Sequence, residues 1–207
     1  EQRAAKRLLD IVVSGLGIIV SSPIMLIIAI AVKAYDGGPV FYLQDRLTYR
    51  GKEFRIRKFR SMCVDSEKNG ARLASKHDSR ITPVGHVLRN LHLDELPQLF
   101  NVFAGDMSLV GPRPERDVIM QEYEQEIPEF HYRLKVKAGL TGYAQVYGKY
   151  NTTPYDKLKL DLFYIENYSF LLDIKLLFMT VKIFFQKEVS EGVDDDQKNA
   201  LKDSQDK

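Results

Sequence analysis

The chain has no tryptophan and a single cysteine, Cys63, among 207 residues. One cysteine excludes an internal disulfide framework and any cysteine-based zinc cluster, and it fits a reducing compartment. The four histidines, at 77, 86, 92 and 131, lack metal-ligand spacing. Charge of one sign is scarce too: 30 basic and 28 acidic residues leave a formal +2, unevenly placed. There is no internal repeat. With 44% hydrophobic and 28% charged residues, the balance is that of a globular chain about one domain long, not a disordered, collagen-like or coiled-coil one. The first residue is Glu1 rather than methionine, which leaves a longer parent chain open.

What the chain does have is one very apolar stretch. Ile11 to Val32 are 22 consecutive uncharged residues between Asp10 and Lys33. As one helix they would run roughly 33 Å, enough to cross a bilayer core. No small-residue cleavage site precedes a soluble polar region, so a cleaved signal peptide is not expected. Ser21-Ser22-Pro23 lies almost midway. Proline removes a backbone donor and clashes with the preceding turn, which predicts a kink or break, with serine hydroxyls available for the carbonyls released. Arg3, Lys6 and Arg7 precede the run. Lys33, Arg46, Arg50, Lys52, Arg55, Arg57, Lys58 and Arg60 follow it, against only Asp36, Asp45 and Glu53. Basic flanks prefer the cytoplasmic side. With both flanks basic, a re-entrant helix-break-helix entering and leaving on one face fits better than a span. A kinked spanning helix and a buried core helix remain the alternatives. The Arg55-to-Arg60 run beside this segment reads more simply as attraction to anionic membrane lipids than to nucleic acid, which is not expected as a partner.

Further along, Asp36-Gly37-Gly38-Pro39 is a turn. Residues 39–44 and 53–59 read as short strands around a turn at Tyr49-Arg50-Gly51-Lys52. In the second, Phe54, Ile56 and Lys58 alternate with Arg55, Arg57 and Phe59. Residues 66–79 are polar, a short helix or loop, and 81–93 give a mixed apolar signal. Helices are predicted over 116–126, stopped by Pro128, over 156–168, and over 170–187, the last unusually apolar. That last helix suits either a membrane interface or a core. From Glu188 onward, seven acidic residues against three lysines and no aromatics predict a disordered tail. Its Asp194-Asp195-Asp196 run imitates a metal motif but belongs to that solvated segment.

The most informative stretch is RNLHLDELPQLFNVFAGDMSLVGPRP, Arg89 to Pro114. Pro97 is tolerated in the first turn of a helix, which places Asp94 or Glu95 at a helix N-terminus, with Asp94 a natural cap. Two adjacent carboxylates there can hold Mg2+, which takes one or two carboxylates plus substrate phosphates. One can also act as a nucleophile while the other manages protons. An ordinary helix start explains the same residues. Arg89 lies five residues before Asp94, and Gly111-Pro112-Arg113-Pro114 is a proline-braced turn presenting Arg113, a residue type that matches phosphate oxygens bidentately. The Lys137-to-Gly142 segment adds small residues and backbone donors, suiting an anion or simply a glycine-rich turn.

Five segments in order resemble the monotopic bacterial phosphoglycosyl transferases, also called bacterial sugar transferases or polyprenyl-phosphate glycosylphosphotransferases. They are KRLLD with the apolar run and its Ser22-Pro23, GGPVFYLQDR, FRIRKFRSM, LDELPQLFNVFAGDMSLVGPRP and AGLTGYAQVYGK. DELPQL followed by GDMSLVGPRP is very specific. The resemblance implies transfer of sugar-1-phosphate from a UDP-sugar to a polyprenyl phosphate such as undecaprenyl phosphate, releasing UMP. It further implies a ping-pong mechanism through a covalent aspartyl phosphosugar. Asp94 would be nucleophile and Mg2+ ligand, Glu95 the base, and Arg89 a phosphate contact. Pro112, Arg113 and Pro114 would line the nucleotide pocket, and Ser22-Pro23 would break a re-entrant helix. Lys137-Ala138-Gly139 and Leu47 to Gly51 depart from the family pattern. The competing readings are a sugar-only glycosyltransferase releasing UDP and a non-catalytic, membrane-attached anion-binding scaffold.

The expected fold is α+β, mainly helical: a monotopic membrane-associated domain with an N-terminal re-entrant helix, interfacial amphipathic helices and a small β-hairpin. Residues 1–35 form the membrane segment, 36–187 the catalytic domain and 188–207 the acidic tail. The expected place is the cytoplasmic face of a bacterial inner membrane, where a homodimer is compatible with the sequence.

Overall fold

The computed structural model describes residues 2–66, 78–148 and 152–184. The polar 66–79 segment for the most part, residues 185–187 of the helix expected over 170–187, and the acidic tail with its aspartate run lie outside them. The architecture is mainly helical with two small sheets. Helix α1 (Gln2–Asp36) leads into strands β1 (Phe41–Leu47) and β2 (Glu53–Phe59), then α2 (Pro83–Asn90), α3 (Gln98–Ala104) and β3 (Ser108–Val110). After these come α4 (Asp117–Glu126), β4 (Gly139–Thr141), α5 (Tyr143–Tyr147), α6 (Pro154–Glu166) and α7 (Phe170–Phe184).

The first correction concerns α1. The expected separation into two segments at Ser22-Pro23 is absent: α1 is one α-helix of 35 residues, with Pro23 inside it. Proline at 23 leaves the carbonyl of Ile19 without its donor four residues on. The Ser22 hydroxyl donates to that carbonyl at 2.8 Å, and Ser21 donates to Gly17 O at 2.6 Å. Packing reinforces this repair. Asp10, Ser14, Met25, Ile28 and Val32 are buried along one stripe running past Pro23 on both sides. Gly15 and Gly17 let Phe103 and Leu99 approach the helix surface.

Both ends of α1 are tied to the same body. Near the start, Lys6 pairs with Asp173 at 2.6 Å and Arg7 donates to Val102 O and Phe103 O, each at 2.8 Å. Asp10 accepts from the Ser108 hydroxyl and from Leu109 N–H. At the far end, Arg60 grips Asp36 through both guanidinium nitrogens. The opposite stripe is apolar and uncovered: Leu16, Val20, Leu26, Ile27 and Ile30 are each more than half exposed. Among the described residues, α1 is the one helix long and apolar enough to cross a membrane.

The Arg60 clamp yields a pH prediction. Its hydrogen bond, with help from Gly38 N–H, holds the Asp36 carboxyl down at about 2. A depressed carboxylate stabilises the fold fully above its unfolded pKa, and the contribution is lost as pH falls from about 4 toward 2. The thermal midpoint difference between wild type and Asp36→Asn should therefore shrink on acidification across that window. An unchanged difference from about pH 6 to pH 2.5 would remove the clamp from the account.

The hairpin follows the alternation read from the sequence, except that β1 extends three residues further, to Leu47. It pairs antiparallel from Phe41 opposite Phe59 to Leu47 opposite Glu53. Arg50 and Gly51 take positive φ (59° and 73°) to close the turn. Phe54 and Ile56 point into a core shared with Val102, Met107, Leu109, Val110, Tyr164 and Leu176. Two further clusters flank it, one around Met25, Ile28, Val32, Phe59 and Leu88, the other around Leu47, Met120, Phe130 and Leu158.

The segment after Lys137 is more than a glycine-rich turn. Gly139–Thr141 is strand β4, parallel to β3. The backbones cross so closely that a Cβ on Gly111, Gly139 or Gly142 would overlap the neighbouring main chain. Helix α7 packs one side into the core, as one of the two alternatives expected, and leaves apolar residues on another side uncovered. Asp173 and Leu176 are fully buried, whereas Leu171, Phe178 and Val181 remain exposed.

Candidate active site

The Asp94-Glu95 pair does not cap α3. The chain ends α2, turns through His92 in the left-handed region (φ 54°), and makes a single 3-10 turn over Leu93–Glu95. Pro97 occupies the residue before α3, and no side chain caps that helix. The capping expectation fails because Leu96 and Pro97 continue the coil in α-helical geometry. The carboxylates thus stand on a separate corner between helices. His92 carries the reversal, a conformation in which histidine is tolerated better than most residues.

Glu95 is where the separate motifs meet. Its Oε1 accepts from Lys58 Nζ at 2.6 Å and from Arg113 at 2.8 Å. Arg113 comes from eighteen residues downstream, and its pose is set by the backbone around it. The carbonyl of Pro112 accepts from Gly139 N–H, that of Arg113 from Arg133, that of Pro114 from Arg46, and that of Glu115 from Leu47 N–H, all at 2.9–3.0 Å. Pro112 and Pro114 are buried, so they brace the loop, while Arg113 between them is exposed. Arg89, in the last turn of α2, adds positive charge near Asp94. Among the described residues no hydrogen bond joins the two.

The electrostatics separate the two carboxylates. Although burial alone would raise it, Glu95 is held well below the usual range by Arg113 and Lys58. Burial pushes Asp94 up, and the negative charge of Glu95 adds to the push. Burial likewise lowers Lys58, against the pull of Glu95. Among the described residues no cluster of three or more His, Cys, Asp or Glu side chains is arranged to hold a metal. A cation completed by substrate phosphates and water needs fewer protein ligands. Asp94 fits that lesser demand: it is a carboxylate whose charge the surroundings leave under-compensated, an imbalance a divalent cation would relieve.

Lys58 and Arg46 are site residues that motif reading did not single out. For Lys58 a signal existed, because FRIRKF places a lysine on the same strand face as the buried Phe54 and Ile56. Arg46 lies beside Arg113 and Arg116. Its pKa is lowered by burial and by both neighbours, with Glu115 opposing. Its Nε is buried without a hydrogen-bond partner. Nothing local in LQDRL announces that. Lys137 does not join the site; its Nζ donates to Gly105 O at 2.6 Å, on the far side of β3.

A family model described as bacterial sugar transferase matches residues 1–187. An Aeromonas hydrophila protein named UDP-N-acetylgalactosamine-undecaprenyl-phosphate N-acetylgalactosaminephosphotransferase is 44% identical over 180 residues, 86% of this chain and 43% of its own length. A Klebsiella pneumoniae UDP-glucose:undecaprenyl-phosphate glucose-1-phosphate transferase is 45% identical over 181 residues, 85% of this chain and 39% of its own. A Salmonella typhimurium undecaprenyl-phosphate galactose phosphotransferase is 39% identical over 202 residues, 90% and 41%. The chain spans about two fifths of the length of these curated relatives. The same motifs that converge on Glu95 therefore sit within a match covering nine tenths of the sequence, and the chain belongs to the bacterial sugar transferase family.

Proposed function

We propose that the chain transfers sugar-1-phosphate from a UDP-sugar to undecaprenyl phosphate at the cytoplasmic face of a bacterial inner membrane. The observation that carries this reading is the convergence of Lys58 and Arg113 on Glu95, beside Asp94, a half-buried carboxylate whose pKa is pushed up by desolvation and by Glu95. Such cationic arms suit a diphosphate. The names of the relatives supply the donor and acceptor classes; they differ in sugar, so the sugar here stays unassigned.

In this mechanism the diphosphate enters between Arg113, Arg46 and Arg116 and competes with Glu95 for Arg113 and Lys58. An Asp94 carboxylate oxygen attacks the β-phosphorus, and the bond from that phosphorus to the bridging oxygen breaks. UMP leaves with the electron pair. Glu95, freed of its two cations, regains ordinary basicity and takes the proton of the lipid phosphate. The lipid oxygen then attacks the aspartyl phosphosugar and regenerates Asp94. Mg2+ at Asp94, when bound, neutralises phosphate charge.

The apolar stripe of α1 supports membrane association. Because both ends of α1 bind one body, the helix lies along the protein, an arrangement that favours a monotopic placement over a simple span. The test is nucleotide release from a panel of UDP-sugars with Mg2+, with and without undecaprenyl phosphate. The expected result is UMP from one donor, sustained only with lipid. Release of UDP instead would show sugar-only transfer and remove Asp94 as a phosphorus nucleophile.

A further inference from the structure

A cavity of about 340 Å3 opens on the other side of β3, walled by the first turns of α1, the α6–α7 turn and the 135–137 segment. None of its lining residues is Lys58, Arg89, Asp94, Glu95 or Arg113. Its volume is within the range of small-molecule sites, about 300–1,000 Å3.

Its chemistry is one-sided. Arg3, Lys6, Arg7, Lys135 and Lys137 line it, against one carboxylate, Asp10. Asp10 is buried and accepts from Ser108 and Leu109, and Lys6 is matched by Asp173. Among the described residues, Arg3, Arg7, Lys135 and Lys137 have no carboxylate within ion-pair distance. Arg7 and Lys137 lean on the carbonyls ending α3, which satisfies hydrogen bonds without supplying a full negative charge. Burial, then the nearby Arg7, pushes the Lys137 ammonium down, against the weaker opposing pull of Asp10 and Asp106. Tyr49 and Tyr168 contribute aromatic wall.

We propose that this cavity binds a phosphate-bearing group, a phospholipid headgroup or free phosphate, through Arg3, Arg7, Lys135 and Lys137. Anionic oxygens would supply the missing charge while the tyrosines cover the adjoining carbons. Leu8, next in the chain to the lining Arg7, and Leu171, three residues after the lining Tyr168, are exposed and suit a headgroup whose acyl chains continue along the surface. Lys6 donates to Val110 O at 2.9 Å, Val110 lines the cavity, and Arg113 follows three residues later.

The test is lysine acetylation of the full chain, followed residue by residue by mass spectrometry. Three conditions are compared at equal ionic strength: phosphatidylcholine vesicles, vesicles with added phosphatidylglycerol, and phosphatidylcholine vesicles with inorganic phosphate. Acetylation of Lys135 and Lys137 should slow at least about fivefold relative to the exposed Lys159 and Lys175, as for a site filled at four times its dissociation constant. Slowing with phosphatidylglycerol alone identifies the headgroup; slowing with inorganic phosphate identifies the free ion. The double variant Arg3→Gln/Lys135→Gln should weaken the effect at Lys137 roughly 30-fold in ligand concentration. The control Lys159→Gln, with Lys175 as the reference lysine, should leave it in place. No selective slowing in any condition, or equal slowing at all four lysines, overturns the site. This readout is separate from nucleotide release, so either reading can fail without the other.

Discussion

Asp94→Asn should abolish sugar-phosphate transfer, lowering turnover by at least about 10^3-fold, because removing a nucleophile leaves only binding and electrostatic contributions. The same variant should fold at least as well as the wild type. Burial and Glu95 both disfavour the Asp94 charge in the folded state, so neutralising it removes an unfavourable interaction. The paired measurements are UMP release and the thermal midpoint, with intact mass reporting the sugar-phosphate adduct on wild type and its loss in the variant. Turnover within tenfold of wild type, or an adduct still formed by Asp94→Asn, would defeat the assignment. A collapse of stability would instead point to a structural role for this carboxylate.

Arg133→Met should produce the largest loss of stability. Its side chain is 3% exposed and bonds Asp161 at 2.7 Å, itself 1% exposed. It also approaches Glu115 at 3.6 Å and donates to Arg113 O at 3.0 Å. Removing one partner of a buried pair strands the other charge, at a cost of about 3–5 kcal/mol. That is a large share of the roughly 5–15 kcal/mol of a typical domain, and the thermal midpoint should fall by roughly 6–20 °C. Adding Asp161→Asn should recover part of the loss, since the stranded charge goes with it. A fall below about 1 kcal/mol would mean the pair is better solvated than its burial indicates. Activity should suffer as well, because Arg133 holds the loop that aims Arg113 at Glu95.

How far a reader gets without coordinates depends on the range over which each feature is decided. Proline stops, the alternation of EFRIRKF and the apolar periodicity of α6 and α7 are local, and the elements stand within a few residues of where those patterns put them. The parallel pair of β3 and β4 could not be read this way: two three-residue strands, 28 residues apart between Val110 and Gly139, carry no periodicity of their own. What marks them is glycine at the crossing, which in isolation reads as a turn.

The site divides along the same line. Asp94, Glu95, Arg89 and Arg113 are singled out through the resemblance carried by DELPQL and GDMSLVGPRP; taken by themselves, adjacent carboxylates before a proline read equally well as an ordinary helix start. The sequence also supplied both halves of the α1 question, a proline that breaks helices and serines that repair them. The structure decided the outcome, since the Ser22 hydroxyl meets Ile19 O on a helix with buried residues on the same side before and after Pro23. Tertiary structure alone brought Lys58 and Arg46 to the Glu95 cluster, put Lys137 in a different cavity, and left α3 without Asp94 as its cap. Chemical identity is written residue by residue, but charge compensation depends on which groups share a low-dielectric space, and only packing sets that.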